Sequence, residues 1–373
     1  MSHLNHLLFK IIEKFRNKHI SLIVSLLSIK RFLFSKFKEN TLKLTKGPYE
    51  KRMALVYDLV GQPLAIGDFL ILLQAGLSQA FREKINGIDL FIFYNPEHPF
   101  GKNKNLKKLN DKDKILSRIF NIMPLVEFNF YIKNIYVVDS ISRLNTFIDK
   151  NYYSLVFPSK NKIYSEVYLF YEILENIFSS KWFSSTPKLK PSNNLSKEAK
   201  FFLNKHAEKS IRVTVNLRNN KSYDVHRNAL LIEWINFFKY CHDKYNATFF
   251  ILSSKEELDS RLLNLPNVIV TRQFYDGIEK DLSLIFHSDI HIGSSSGPST
   301  IAWFQNKPML IINSHMSILS RRLSKKCIIK NENYSKYNRF LFSSENHIFS
   351  EEKESFKTLR RDFDLLVKIL NSK

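Results

Sequence analysis

The chain has 373 residues, 44% hydrophobic and 25% charged, with 32 phenylalanines and a formal charge of +22. It is too long for one ordinary core and too apolar for a disordered chain, so two folded domains are expected. Lysines are spread along its whole length without zinc spacing, an RNA-binding aromatic motif or a compact arginine stripe, which sets nucleic acid aside as a partner, and the widely separated Cys241 and Cys327 exclude a disulfide framework and point to a reducing cytoplasm.

Residues 1–45 interleave lysine and arginine with Leu, Ile and Phe, as in "HLLFKIIEKFRNKHISLIVSLLSIKRFLFSKFK". No apolar stretch approaches the roughly 20 residues of a spanning helix, and no small-residue cleavage site follows. The pattern suits an interfacial helix on an anionic membrane surface, at the inner face of the cytoplasmic membrane, or a basic helix packed on the body of the protein.

From 46 to 178 the pattern alternates: a strand at "MALVYDL" (53–59), the loop "VGQPLAIG", a helix in "DFLILLQAGLSQAFREKI" and a strand at "IDLFIFYN" (88–95). A lysine-rich loop from Lys102 to Lys114 precedes two further strands, "NIYVVDS" and "YSLVFPS". Strand, helix, strand order predicts a parallel sheet with crossover helices. The polar, proline-bearing stretch 179–208 reads as a linker. Over 209–330 come strand "IRVTVNLR", helix "RNALLIEWINFFKYCHDKY", strand "ATFFILSS", short helix "KEELDSRLLN", strand "NVIVTR", helix "GIEKDLSLIFHS", strand "DIHIGS", helix "PSTIAWFQN" and strand "KPMLIIN". Five strands with four crossover helices predict a second Rossmann-like sheet. The closing segment 331–373 ends in a helical pattern with no sheet partner, expected to pack back across the domain boundary.

Two of only 9 glycines lie in "DIHIGSSSGPSTIAWF", between two apolar runs. Ligands of open parallel sheets sit beyond the carboxyl ends of the strands. Gly297 suits a tight strand-to-helix turn and Pro298 a first helical position, so the helix is expected to start at Pro298 with the N–H groups of Ser299, Thr300 and Ile301 open. Gly293 and Ser294 lead into this loop, and the hydroxyls of Ser295, Ser296 and Ser299 complete a site for a phosphate or diphosphate; plain helix capping would use the same residues. In "NLRNNKSYDVHRN" (216–228), Arg218 is expected over the cleft while Arg227 and Asn228 open the next helix. Arginine's planar fork matches phosphate oxygens, although a surface arginine on a loop is the other reading. Arg272 is a third candidate. The two Asp-x-Asp matches, Asp111 with Asp113 and Asp362 with Asp364, sit in the lysine-rich loop and on the tail helix, and no metal site is expected from either.

"VNLRN…HRN" and "DIHIGSSSGPSTIAWFQNKPMLI" resemble donor-domain signatures of the GT-B superfamily of glycosyltransferases, in its bacterial surface-polysaccharide and fucosyltransferase-like relatives. The resemblance covers about residues 211–313; the first half matches in strand order and in the loop after its first strand. It implies an α/β protein of two Rossmann-like domains facing across a cleft, the nucleotide-sugar on the C-terminal domain, a glycan or lipid-linked acceptor on the N-terminal one, and neither metal nor further cofactor. The activity implied is sugar transfer in cell-envelope polysaccharide synthesis. A nucleotide-sugar epimerase of the same fold and a non-catalytic envelope-assembly protein are the alternatives. The acidic residue many members use for donor hydroxyls has no match near the helix start, where Thr300 and Gln305 stand. Direct transfer needs a base for the acceptor hydroxyl. The candidates are Asp68, just after "LAIG", and Glu97 and His98 in "YNPEHPFG"; Asp68 could instead cap its helix, and the pair could simply decorate a turn. His291 lies within a strand and reads as core.

Overall fold

The computed structural model describes residues 51–60, 64–95, 112–150, 153–159, 181–219, 228–254, 257–294, 296–312, 344–350 and 352–372. The basic segment 1–45 lies outside them, as do Glu97, His98, Asp111, Arg227 and Ser295.

The first half runs β1 (Arg52–Asp58), α1 (Ile66–Arg82), β2 (Gly87–Phe93), α2 (Lys112–Ile122), β3 (Ile132–Val138), α3 (Ile141–Lys150) and β4 (Leu155–Phe157). All pairs are parallel and the order is β3-β2-β1-β4. Every residue of β2 is buried, as expected of a parallel strand covered on both faces.

The second half runs α4 (Asn193–Ala207), β5 (Ile211–Asn216), α5 (Leu231–Tyr245), β6 (Ala247–Ile251), β7 (Val268–Val270), α6 (Ile278–His287), β8 (Ile290–Ser294), α7 (Thr300–Trp303), β9 (Met309–Ile312), β10 (His347–Phe349) and α8 (Phe356–Asn371). Its six parallel strands lie in the order β10-β9-β8-β5-β6-β7. Counted from β5 this is 3-2-1-4-5-6, the doubly wound order, and its switch point falls between β5 and β8. The α/β class and the Rossmann-like sheets expected from the sequence are thus visible in the strand orders.

Four elements depart from expectation. The stretch read as a linker contains α4, a 15-residue helix capped by Ser192, whose hydroxyl accepts from Leu195 N. Leu195, Ala199, Phe202 and Leu203 share its buried face, and its polar residues, which suggested a linker, face outward. A sixth strand, β10, pairs with β9 where none was foreseen. The tail helix α8 packs within the second half instead of returning across the boundary: Leu359, Phe363, Leu366 and Val367 join the core beneath α5. Glu354 accepts from Trp234 Nε1 (2.9 Å) and Leu230 N, while Glu233 accepts from Phe356 N (2.6 Å), which ties α8 to α5. Finally, within "KEELDSRLLN", Ser260–Asn264 forms a 3-10 turn in place of the expected helix.

The two sheets do not stand apart. One apolar cluster runs from Leu55, Leu73 and Leu77 through Phe202 and Leu203 of α4 and Leu282 and Ile285 of α6 to Ile301 and Phe304. Each leucine buried in such a layer contributes about 1.5 to 3 kcal/mol relative to exposure. Polar pins reinforce it. Buried Gln74 donates to the Pro187 carbonyl (3.0 Å) and accepts from Leu189 N (2.9 Å), fixing the chain to α1 as it crosses from one half to the other.

Candidate active site

At the switch point Asn216 of β5 pairs with Gly293 of β8. A methyl built on Gly293 would stand 2.7 Å from the Asn216 carbonyl oxygen, so only glycine lets the strands run this close. Arg218 leaves β5 two residues beyond Asn216, level with the start of the serine loop. Its carbonyl accepts from Ala229 N (2.8 Å), which closes the intervening loop and brings Asn228 back to the same edge. The Arg218 side chain is half-buried there.

The loop itself differs from expectation in two respects. Gly297 is not required by its backbone angles, since among the described glycines only Gly277 has a positive φ, of 141°. What it permits is close approach: a methyl on Gly297 would lie 3.0 Å from Gly67 N and 3.0 Å from Ile66 Cβ, at the start of α1. The helix after Pro298 begins only at Thr300 and lasts four residues. Thr300 N donates to the Gly297 carbonyl (3.1 Å) and Ile301 N to that of Pro298 (3.3 Å), so two of the three N–H groups expected to be open are consumed by a tightened 3-10 turn. The polar atoms left without a partner are hydroxyls. Ser294 Oγ and Thr300 Oγ1, in residues 1% exposed, have no hydrogen-bond partner among the described residues. Buried hydroxyls are normally bonded, so these two, at the end of β8 and the start of α7, stand out against the rest of the loop.

Ser299 is held from below. Its Oγ lies 2.9 Å from His291 Nε2 and 3.1 Å from Ser296 Oγ. His291 is fully buried, and burial holds its imidazole down to about 3, with buried Lys307 adding to the effect. Lys307 donates to the carbonyls of Ile285, Phe286 (2.8 Å) and Ser288 (2.9 Å), clamping the end of α6 beneath β8; burial lowers its ammonium to about 7. The sequence reading of His291 as core is right about its burial and misses its bond to the loop.

A pH dependence follows. The folded His291 is neutral down to about pH 3, whereas the unfolded chain protonates it below about 6.5, so the unfolded state binds more protons between these values and stability falls as pH falls through that window. His287, held down to about 4 by burial, acts in the same direction. His291→Gln should be the less stable protein in urea at pH 7.5. At pH 4.5 its deficit against wild type should shrink by about 2 to 3 kcal/mol; a constant deficit would contradict the buried neutral imidazole.

From the first half, α1 arrives with its N-terminal turn on this loop. A methyl on Gly67 would meet Thr300 Oγ1 at 3.0 Å and Gly297 Cα at 3.4 Å. Asp68 is the next residue, the acidic group of the first turn of α1, and the N-cap is Ala65, not Asp68. Burial first, and then the charge of Asp68, push the Tyr57 phenol well above its ordinary range. The fold therefore sets the start of α1, with Gly67 next to Asp68, against Gly297 and Thr300, while Arg218 and Asn228 follow β5 at the switch point where Asn216 pairs with Gly293. Arg272 is engaged elsewhere: its two terminal nitrogens bind buried Asp281 and, at 3.0 Å, Asp276, beside the edge strand β7. On the tail helix, Asp362 accepts from Arg361 (2.7 Å) and Asp364 from Tyr245 (2.7 Å). Sequence reasoning missed the parts played by Gly67, Thr214, Ser288 and Lys307.

No protein-family model matches the chain. No curated protein matches it either. Among solved structures it is similar to a glycosyl transferase family 9 protein from Veillonella parvula, at 12% identity over 87% of this chain and 98% of that one with a TM-score of 0.48. It is similar also to the E. coli ADP-heptose LPS heptosyltransferase II, at 10% identity over 85% and 98% of the two chains and a TM-score of 0.47. A third is the fucosyltransferase NodZ from Bradyrhizobium, at 13% identity over 70% and 95% and a TM-score of 0.33. Likenesses this distant carry no weight for the reaction, which rests on the side chains of this protein.

Proposed function

We propose that the protein is a glycosyltransferase that moves a sugar from a nucleotide-sugar, held at the β5/β8 switch point, to a glycan or lipid-linked acceptor on the α1 side. The observation that carries this is the contact of Gly67, immediately before Asp68, with Gly297 and Thr300. It supports a reading in which Asp68, the next residue of α1, serves the acceptor next to the loop that would hold the diphosphate, as transfer between two substrates requires and simple nucleotide binding does not.

In this scheme Arg218 and the hydroxyls of Ser294 and Thr300 take the diphosphate oxygens. The Asp68 carboxylate accepts the proton of the acceptor hydroxyl as that oxygen bonds to the anomeric carbon, and the bond to the diphosphate breaks with its electron pair leaving on the phosphate. Arg218 balances the charge that develops there. The scheme calls for no metal or cofactor. The basic segment 1–45 would hold the enzyme on the anionic inner face of the cytoplasmic membrane, where a lipid-linked acceptor of envelope polysaccharide synthesis is met.

Titration calorimetry with adenosine, guanosine, uridine and cytidine diphosphates tests the donor site. One of them should bind, and Arg218→Ala should weaken it about 10- to 150-fold through loss of a charge-assisted bond. Arg218→Lys should restore part of this. Undiminished binding by folded Arg218→Ala would sink the assignment. Donor turnover that depends on an added acceptor separates a transferase from an epimerase, which would convert the donor alone, and from a non-catalytic binding protein, which would convert nothing.

A further inference from the structure

Five side chains form one hydrogen-bonded file beneath the serine loop. Ser288 Oγ donates to the Ile285 carbonyl (3.1 Å) and lies 3.0 Å from Thr214 Oγ1. Thr214 Oγ1 lies 3.1 Å from His291 Nδ1, and the file continues from His291 Nε2 through Ser299 to Ser296. All except Ser296 are buried, so their bonds have little water to fall back on.

The direction of the protons follows from counting them, because each hydroxyl has one to give and a neutral imidazole has one N–H. With the Ser288 proton on the carbonyl, the Thr214 proton goes to Ser288 or to the Ile290 carbonyl 3.4 Å away, both of them acceptors. Thr214 has then nothing left for the imidazole, so Nδ1 carries the ring proton and donates to Thr214. Nε2 is the acceptor and takes the proton of Ser299, and Ser296 must in turn donate to Ser299. This direction lets Ser288 and Thr214 both donate to acceptors while the imidazole and the two loop serines make their bonds; the reverse leaves the Ile285 carbonyl bond unmade. In this direction the file ends with the Ser296 proton turned inward and its lone pairs turned out, opposite to the arrangement in which Ser296 and Ser299 would donate to phosphate.

We propose that His291 is a positioning residue that, through Ser299, fixes Ser296 as a hydrogen-bond acceptor, so that the part of the nucleotide-sugar seated on Ser296 is a hydroxyl and not a phosphate oxygen. This rests on the donor-site reading of the loop. A phosphate oxygen would meet Ser296 lone pair to lone pair, whereas a ribose or sugar hydroxyl brings the missing proton. The labour is divided: Arg218, Ser294 and Thr300 face the anion, and Ser296 reads a neutral hydroxyl.

Two measurements on the full chain test it. In 15N spectra of histidine-labelled protein, the His291 signals, identified by their absence in His291→Gln, should show a neutral ring protonated on Nδ1 and bare on Nε2. A ring protonated on Nε2 overturns the proposal whatever the protein binds. Calorimetry then compares wild type with Ser296→Ala for inorganic pyrophosphate, the best-bound nucleoside diphosphate, its 2′,3′-dideoxy analogue and the corresponding nucleotide-sugar. Ser296→Ala should leave pyrophosphate affinity unchanged and weaken hydroxyl-bearing ligands by about 2- to 12-fold. If the hydroxyl is on the ribose, the loss appears with the nucleoside diphosphate and is absent for the dideoxy analogue; if on the sugar, it appears only with the nucleotide-sugar. Equal weakening of all four ligands, or of none, overturns the proposal and leaves the donor site standing. If wild type binds none of them, the donor-site reading fails and the proposal with it.

Discussion

Asp68→Asn should lower turnover by about 10²- to 10⁴-fold at saturating substrates while leaving nucleotide affinity as in wild type. The substitution keeps the size and shape of the side chain and removes its charge and its ability to take up a proton. A purely structural role predicts something much smaller. As the acidic residue in the first turn of α1, Asp68 favours the positive end of the helix dipole, an effect of about 0.3 to 1 kcal/mol on stability. The two roles separate cleanly, because loss of the dipole effect lowers the unfolding midpoint slightly and leaves the rate per folded molecule unchanged. Steady-state turnover, nucleotide titration and urea unfolding of the one variant decide between them. Wild-type turnover by folded Asp68→Asn would remove Asp68 from the mechanism.

Gly297→Val should weaken both donor binding and turnover by about 5- to 150-fold, from an overpacking cost of about 1 to 3 kcal/mol. The new Cβ would stand 3.0 Å from Gly67 N and from Ile66 Cβ, so the loop and the start of α1 would have to separate. Backbone atoms in a helix have little room to give way. Gly67→Ala provides the contrast, since its nearest obstacle is the Thr300 hydroxyl, also at 3.0 Å, at the end of a side chain that can rotate. Its effect should be milder. Equal, wild-type behaviour of both variants would mean that this contact has no part in binding or transfer.

Much of the second sheet was legible in the sequence because its strands are short apolar runs bounded by polar turns, as in "ATFFILSS" and "KPMLIIN". The site was legible in part, because a serine- and glycine-rich loop after the fourth strand of such a unit falls at the switch point whatever the details of packing. Other features were hidden for physical reasons. β10 has three residues, "HIF", too few for any alternation to show. The buried stripe of α4 is interrupted by lysine, serine and asparagine, so composition outweighed spacing. The open N–H groups expected at Ser299 to Ile301 presumed a full α-helix, and a four-residue helix closes its bonds within the turn. The hydrogen-bonded file could not be seen in advance because Thr214, Ser288, His291 and Ser299 come from separate elements and meet only through strand register. Gly67 belongs to the same class, its importance lying wholly in a neighbour some 230 positions along the chain.

The apolar layer between the sheets bears on how such a protein can diversify. Enzymes built from two loosely joined halves can acquire a new specificity by exchanging one half for a relative's. Here Phe202, Leu282, Ile285, Ile301 and Phe304 belong to one apolar cluster with side chains of the first half, and Gln74 is bonded to the chain that joins the halves. A transplanted half would arrive with a seam cut for a different partner, leaving voids and clashes whose costs are several kcal/mol each. New substrates would therefore come more readily through single substitutions that keep the seam than by shuffling whole halves.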